Sequence, residues 1–200
     1  MTRRSILSAI SLAALCWALA ASCAEGEADI EIGADGGVGF SARAAIPSFL
    51  VPLHDAGGLP LPASEAALRA SIPAGSTLRS FSISDGELQR VVAASISFDS
   101  IESFMRFMDE WGAKPALRES EGRKSLSFVI PTEWASGRMP DARALRAFGS
   151  GVARVRVRGP ASLEPADPSK TSIDQGALVY EARIDSLLAS GAQETVSFTW

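Results

Sequence analysis

Apolar and polar residues alternate with period two on both sides of a glycine-bearing turn at three places in this 200-residue chain, which commits much of it to antiparallel hairpins. Asp29-Ile30-Glu31-Ile32 runs into Ala34-Asp35-Gly36-Gly37, and then Val38, Phe40, Ala42, Ala44 and Ile46 alternate again. Leu78 to Phe98 repeats the arrangement around Asp85-Gly86, with Phe81 and Ile83 before the turn and Leu88, Val92, Ala94, Ile96 and Phe98 after it. Leu117 to Glu121 and Lys124 to Ile130 form a third hairpin through Gly122. Successive side chains of a strand point to opposite faces, so each hairpin has one apolar side that another layer must cover.

A helix supplies much of that layer. Ile101, Phe104, Met105, Met108 and Trp111 recur at helical spacing, Asp99 is placed to cap the start with Glu102 three residues on, and Gly112 suits the stop. The stripe reads as core packed on the sheet in preference to a ligand-lining methionine and aromatic face. Asp141 to Phe148 predicts a short helix, and Ala153 to Arg158, Leu178 to Ile184 and Thr195 to Trp200 predict further strands. Ser162 to Gln175 reads as a surface loop and Asp185 to Ser190 as a short turn or helix. The fold class is therefore α+β: a mainly antiparallel sheet built from hairpins, with one long and one or two short helices packed on it.

Between the first two hairpins, Pro47, Pro52, Pro60, Pro62 and Pro73 interrupt the apolar residues Phe49, Leu50, Val51, Leu53, Leu59 and Leu61, and only Ser64 to Ser71 looks helical. An apolar connection this long is expected to fold down as a crossover over one sheet face, the alternative being a flexible flap gating an apolar space.

The start of the chain speaks to location. Arg3 and Arg4 precede an almost wholly apolar run from Ile6 to Leu19, the layout of an export signal. A spanning helix needs about 20 apolar residues, and this run is shorter and ends in small residues. Leu19-Ala20-Ala21-Ser22-Cys23 resembles a bacterial lipobox, in which the cysteine becomes the lipidated first residue. Ordinary cleavage at Ala18-Leu19-Ala20 is the rival. Cys16 and Cys23 are the only cysteines, so an exported mature domain holds no pair to oxidise, and acylation removes an otherwise free thiol. The expected organisation is a lipoprotein signal peptide over 1–22, a polar tether over 23–27 and a single domain over 28–200. Acylated Cys23 would hold the protein on the bacterial cell envelope, on its periplasmic or surface side, as the only membrane attachment.

Without residues 1–22 the chain carries 17 basic and 23 acidic residues, a net charge of −6, which argues against a nucleic-acid partner. His54 is the only histidine and stands in the proline-broken connection, so imidazole catalysis and zinc binding have little to draw on. It reads as structural or exposed, with His54-Asp55 as part of a site the lesser alternative. Glu119 and Glu121 would project from one strand face as paired carboxylates do, but beside a polar turn they read as solvated charge. Gly149-Ser150-Gly151 follows a predicted helix and is no nucleophile elbow. No catalytic residue, cofactor or metal is therefore expected.

One segment runs against the acidic whole: Arg138, Arg143, Arg146, Arg154, Arg156 and Arg158 are opposed only by Asp141. If helix and strand are adjacent, these arginines could form a patch for anionic headgroups, though three arginines on one strand side also suit a solvent-facing sheet. Arginines outnumber lysines sixteen to three in the chain, which weakens any argument from arginine alone.

The lipobox at Leu19 to Cys23, the Ile30-Glu31-Ile32 strand turning at Asp35-Gly36-Gly37, and the Ile96-Ser97-Phe98-Asp99-Ser100-Ile101-Glu102 strand-to-helix junction together resemble bacterial lipoproteins with an LppM-type domain. The resemblance covers most of residues 24–200 and implies an exported α+β domain with a lipid- or lipoglycan-binding role at the envelope. No second apolar run of spanning length follows in this chain, unlike the family's mycobacterial member, so that membrane arrangement does not carry over, and no catalytic or binding residue set transfers. The resulting expectation is a non-catalytic envelope lipoprotein that binds an amphipathic lipid or glycolipid. The alternative is an accessory lipoprotein that docks a protein partner through a sheet edge or exposed aromatics such as Trp134.

Overall fold

The structure is a computed structural model, and it describes residues 25–57, 59, 61–130, 151–160, 162–184, 186–187 and 194–200. In chain order the strands are β1 (Glu25–Ile32), β2 (Val38–Pro47), β3 (Ser76–Asp85), β4 (Gln89–Phe98), β5 (Ala116–Ser120), β6 (Arg123–Val129), β7 (Val152–Arg158), β8 (Glu164–Pro165), β9 (Thr171–Asp174), β10 (Ala177–Arg183) and β11 (Thr195–Thr199). The helices are α1 (Val51–Asp55), α2 (Glu65–Ser71) and α3 (Ile101–Glu110), with a 3₁₀ turn over Ser48–Leu50.

All three expected hairpins form. In the first, Ile32 stands opposite Val38, Gly36 adopts a φ of 85° that suits only glycine, and the Asp35 carboxylate accepts from the Gly37 N–H at 3.0 Å. Among the described residues, the strands assemble into a seven-stranded sheet ordered β3-β4-β2-β1-β7-β10-β9 and a four-stranded sheet ordered β5-β6-β11-β8. Every pairing is antiparallel except that of β1 with β7, which is parallel. The division into two sheets is not visible in the alternation, which says which side of a strand is buried but not which strands pair.

One core joins both sheets and the long helix. Ile30, Ile32, Val38, Ile96, Phe98 and Val157 project from the large sheet onto Ile101, Phe104 and Phe107 of α3, and Leu126, Phe128, Val196 and Phe198 close the core from the small sheet. The Phe104 ring is fully buried, with its centroid 5.5 Å from that of Phe98 and 6.0 Å from that of Phe40. Burying such a ring contributes about 2–3 kcal/mol, so this cluster dominates the stability of the packing. In a smaller cluster, Leu50 and Leu59 of the proline-broken connection pack on Ile46 and Val92 of the sheet, so the connection folds down on it.

Four details differ from the sequence expectation. The cap of α3 is Ser100, whose Oγ accepts from the Ser103 N–H at 3.2 Å, and not Asp99; Gly112 ends the helix with a φ of 79° as expected. The connection holds the 3₁₀ turn and α1 besides α2, because Pro52 falls in the first turn, where the missing N–H costs no helical bond. The expected loop over 162–175 contains β8 and β9, which are too short to show alternation. The expected tether is mostly strand: β1 begins at Glu25, paired with Ala45, so the chain joins the sheet two residues after Cys23. The expected helix at 141–148 lies outside the described residues.

Candidate functional site: an apolar hollow under the connection

Along the core-facing side of the large sheet, side-chain size falls abruptly. Toward the C-terminal end of β1 the inward residues are Ile30 and Ile32, but toward its start they are Ala28 and Gly26. The paired positions continue the change: Ala42 faces Ala28 across β2, Ala44 faces Gly26, Ala94 follows on β4, and Ala153 stands beside Gly26 on β7. Short side chains leave the space above them unfilled. A Cβ added at Gly26 would meet nothing within 4 Å.

Two hollows of about 240 Å³ each occupy this space, and both are lined by Ala42 and Ala94 below and by Leu61 and Pro62 above. One spreads over Gly26, Ala44 and Ala153 toward the start of β1, with Ile130 on its margin. The other runs beneath α3 between Phe107, Met108 and Trp111. The helical stripe thus divides: Ile101, Phe104 and Phe107 are buried in the core, and the later residues, with Phe107, wall the hollow. Glu27, Arg43 and Arg154 border the first hollow, but the surface of both is almost wholly apolar, which makes the space suited to hydrocarbon and poorly suited to water, whose hydrogen bonds would go unmet.

The roof is held by a polar cluster built around the buried His54. His54 is wholly buried on α1, its Nε2 donates to the Pro62 carbonyl at 3.3 Å, and its Nδ1 accepts from Arg90 Nη1 at 3.2 Å. A guanidinium can only donate, so the proton of the ring is on Nε2, aimed at the roof. Arg90 also donates to Asp55 and, through Nε at 2.5 Å, to Asp85, its cross-strand partner at the base of the second hairpin. These two carboxylates hold the Arg90 pKa above its ordinary value, and the Arg90 hydrogen bond holds the Asp85 carboxyl below the usual carboxylate range. His54 is therefore structural, as expected, and its task is to fix Pro62 over the hollow. Arg90 is the residue that sequence reasoning missed. The available signal was an arginine and an aspartate flanking one tight turn, together with His54-Asp55 as a polar pair inside an apolar connection.

The other candidates fall elsewhere. On β7, Arg154 donates to Glu27 at 3.1 Å and to Glu181 at 2.6 Å, and Arg156 stands 3.6 Å from both Asp29 and Asp174. The strands on either side of β7 thus supply carboxylates, and this face is a charge-paired solvent side and not a free basic patch around Arg154 and Arg156; Arg158, opposite Glu31, is exposed. Arg138, Arg143, Arg146 and Trp134 lie outside the described residues, as does Cys23. Glu119 is exposed in β5 while Glu121 is in the turn with a φ of 53°, so the two do not share a strand face. Among the described residues no group of three or more histidine, cysteine, aspartate or glutamate side chains is placed to hold a metal, and no helix is long and apolar enough to cross a membrane.

No protein-family model matches the chain, and no curated protein matches it. Among solved structures, the chain is similar to the NMR structure of the folded domain of Mycobacterium tuberculosis LppM, at 16% identity over 88% of each chain with a TM-score of 0.48. It is also similar to native yeast LTA4 hydrolase, at 8% identity over 89% of this chain and 28% of that one, with a TM-score of 0.34. Likenesses of this size carry no functional argument, which rests on the site itself.

Proposed function

We propose that the protein is a membrane-anchored lipoprotein of the bacterial envelope that holds an amphipathic lipid without chemical conversion, with an acyl chain in the hollow beneath Leu61 and Pro62. The observation that carries this reading is the pair of adjoining apolar hollows with a common floor and roof. Each alone is smaller than the range of about 300–1,000 Å³ usual for small-ligand sites and together they fall within it, and their course from Gly26 to Trp111 suits a chain better than a compact ring. The lipobox at Leu19 to Cys23 supports an envelope location, and a bound lipid would be at hand there. The charge pairing around Arg154 and Arg156 turns the reading away from headgroup selection by net positive charge and toward recognition of the hydrocarbon.

Mass spectrometry of lipid retained by the purified protein tests the proposal: one amphipathic lipid per chain is expected, and a folded protein that retains none and takes up no acyl probe would overturn it. A second reading, docking of an envelope protein along β9, is favoured by Ile173, which is 69% exposed on that edge strand. Co-purification of a partner that Ile173→Lys abolishes, with lipid retention absent, would favour that reading.

A further inference from the structure

One of the hollows and two exposed apolar side chains lie at the end of the large sheet where β1 begins, two residues after the expected anchor in the chain. β1 enters at Glu25, two residues after Cys23, and the hollow begins at Gly26. Three residues span at most about 11 Å, so the Cys23 Cα cannot be farther than that from the floor of the hollow. Past Ala45, the partner of Glu25, β2 ends at Pro47 opposite Gln89, and the 3₁₀ turn that follows is tied to the tip of the second hairpin. The Ser48 N–H donates to the Leu88 carbonyl at 3.0 Å and Ser48 Oγ to the Glu87 carbonyl at 3.1 Å.

This tie brings together the segments that carry Phe49, 51% exposed, and Leu88, 46% exposed; among the described residues the only other large apolar side chain so exposed is Ile173, on the opposite edge of the sheet. Charge at this end is mixed and leans acidic: Glu25 and Glu27 are near Arg43 and Arg154, Asp55 and Asp85 meet Arg90, and Glu87 is exposed beside Leu88. It does not call for anionic headgroups. Exposed apolar residues beside a lipid anchor fit a bilayer interface, where they lose contact with water and the charged groups keep theirs.

We propose that this end of the domain, which carries Phe49 and Leu88, rests on the leaflet that holds the acylated Cys23, and that the hollow draws its acyl chain directly from that leaflet. The proposal rests on the lipid-binding reading above. The headgroup layer is about 5–7 Å deep on each side of a bilayer, so a floor within about 11 Å of the anchor lies at or just above that layer. A lipid would have to rise by less than its own length to fill the hollow.

The test reconstitutes the full acylated protein in phosphatidylcholine vesicles that contain a phospholipid with a photoactivatable acyl chain, and measures cross-linking. A short-chain photoactivatable lysophospholipid supplied from the aqueous phase is the parallel arm. Two variants are compared with the wild type: Phe49→Ser with Leu88→Ser, both at exposed positions, and a 20-residue Gly/Ser linker inserted after Ala24, which leaves the lipobox and β1 intact. The linker lets the domain stand off by roughly 25 Å on average. Each variant is expected to lose about five-fold or more of the cross-linking from vesicles, with cross-linking from the aqueous lipid within about two-fold of wild type. Undiminished vesicle labelling in both variants overturns the proposal. Aqueous but no vesicle labelling of the wild type also overturns it and leaves the lipid-binding reading standing, whereas a folded wild type labelled from neither source removes both.

Discussion

Ala94→Leu tests whether the space under the connection is real. Ala94 lies on the floor of both hollows and pairs with Ala42, so the added atoms project into the middle of the site. Leucine adds three carbon atoms. At about 0.8 kcal/mol per buried carbon their burial is worth at most roughly 2.4 kcal/mol, and ordering the longer side chain returns about 0.5–1 kcal/mol. If the space is open, stability rises by about 1–2 kcal/mol. If the region is close-packed, the same substitution overpacks it and costs about 1–3 kcal/mol. The two accounts therefore differ in sign. Urea unfolding reads the stability change from the transition midpoint at constant slope, and uptake of a fluorescent fatty acid reads the function, which the leucine should reduce by occupying the site. A variant that unfolds earlier than wild type, or that binds the probe as well as wild type does, would refute the reasoning.

Further predictions concern the roof, the core, the alkaline limit and the anchor. Arg90→Met should leave His54 Nδ1 buried without a donor, at a cost of about 1–3 kcal/mol in urea unfolding, and should speed release of bound lipid through a looser Pro62; unchanged release kinetics would contradict the roof assignment. Phe104→Ala should cost about 3–5 kcal/mol, measured the same way. Burial, aided by Glu194, whose Oε2 accepts from the Tyr180 hydroxyl at 3.4 Å, pushes the Tyr180 pKa up to about 12 from 10.0. Between these values the unfolded phenol loses its proton while the folded one keeps it, so the contribution is full below pH 10 and is lost as pH rises through 12. The loss amounts to roughly 2–3 kcal/mol, and Tyr180→Phe should flatten that part of a pH series of unfolding midpoints. Cys23→Ser should abolish incorporation of labelled fatty acid; incorporation equal to wild type would remove the anchor.

How much was legible in the sequence depended on whether the signal was local. The three hairpins and α3 were legible because alternation, turn glycines and a helical stripe are properties of consecutive residues, and Gly36 and Gly112 do adopt the positive φ angles that their positions implied. The parallel pairing of β1 with β7 was not legible, since Ala28 and Val155 are separated by more than a hundred residues and nothing near either one names the other. The carboxylates that meet Arg154 and Arg156 went unseen for the same reason: Glu27, Asp29, Asp174 and Glu181 come from other strands. For the hollow, the connection over 47–75 pointed to a cover on the sheet, but the floor is made of Gly26, Ala28, Ala42, Ala94 and Ala153, which in an alanine-rich chain look unremarkable until the register lines them up. His54 was legible as structural, and its partner Arg90 was not, because their contact crosses 36 positions.

The central claim is that the hollow holds an acyl chain, and native mass spectrometry of the acylated protein released from detergent tests it most directly. The account predicts a non-covalent mass of one amphipathic lipid per chain in addition to the acyl groups on Cys23, and its disappearance in Ala94→Leu while the protein stays folded. Folded protein that carries no such mass, or an Ala94→Leu variant that carries it undiminished, would contradict the account.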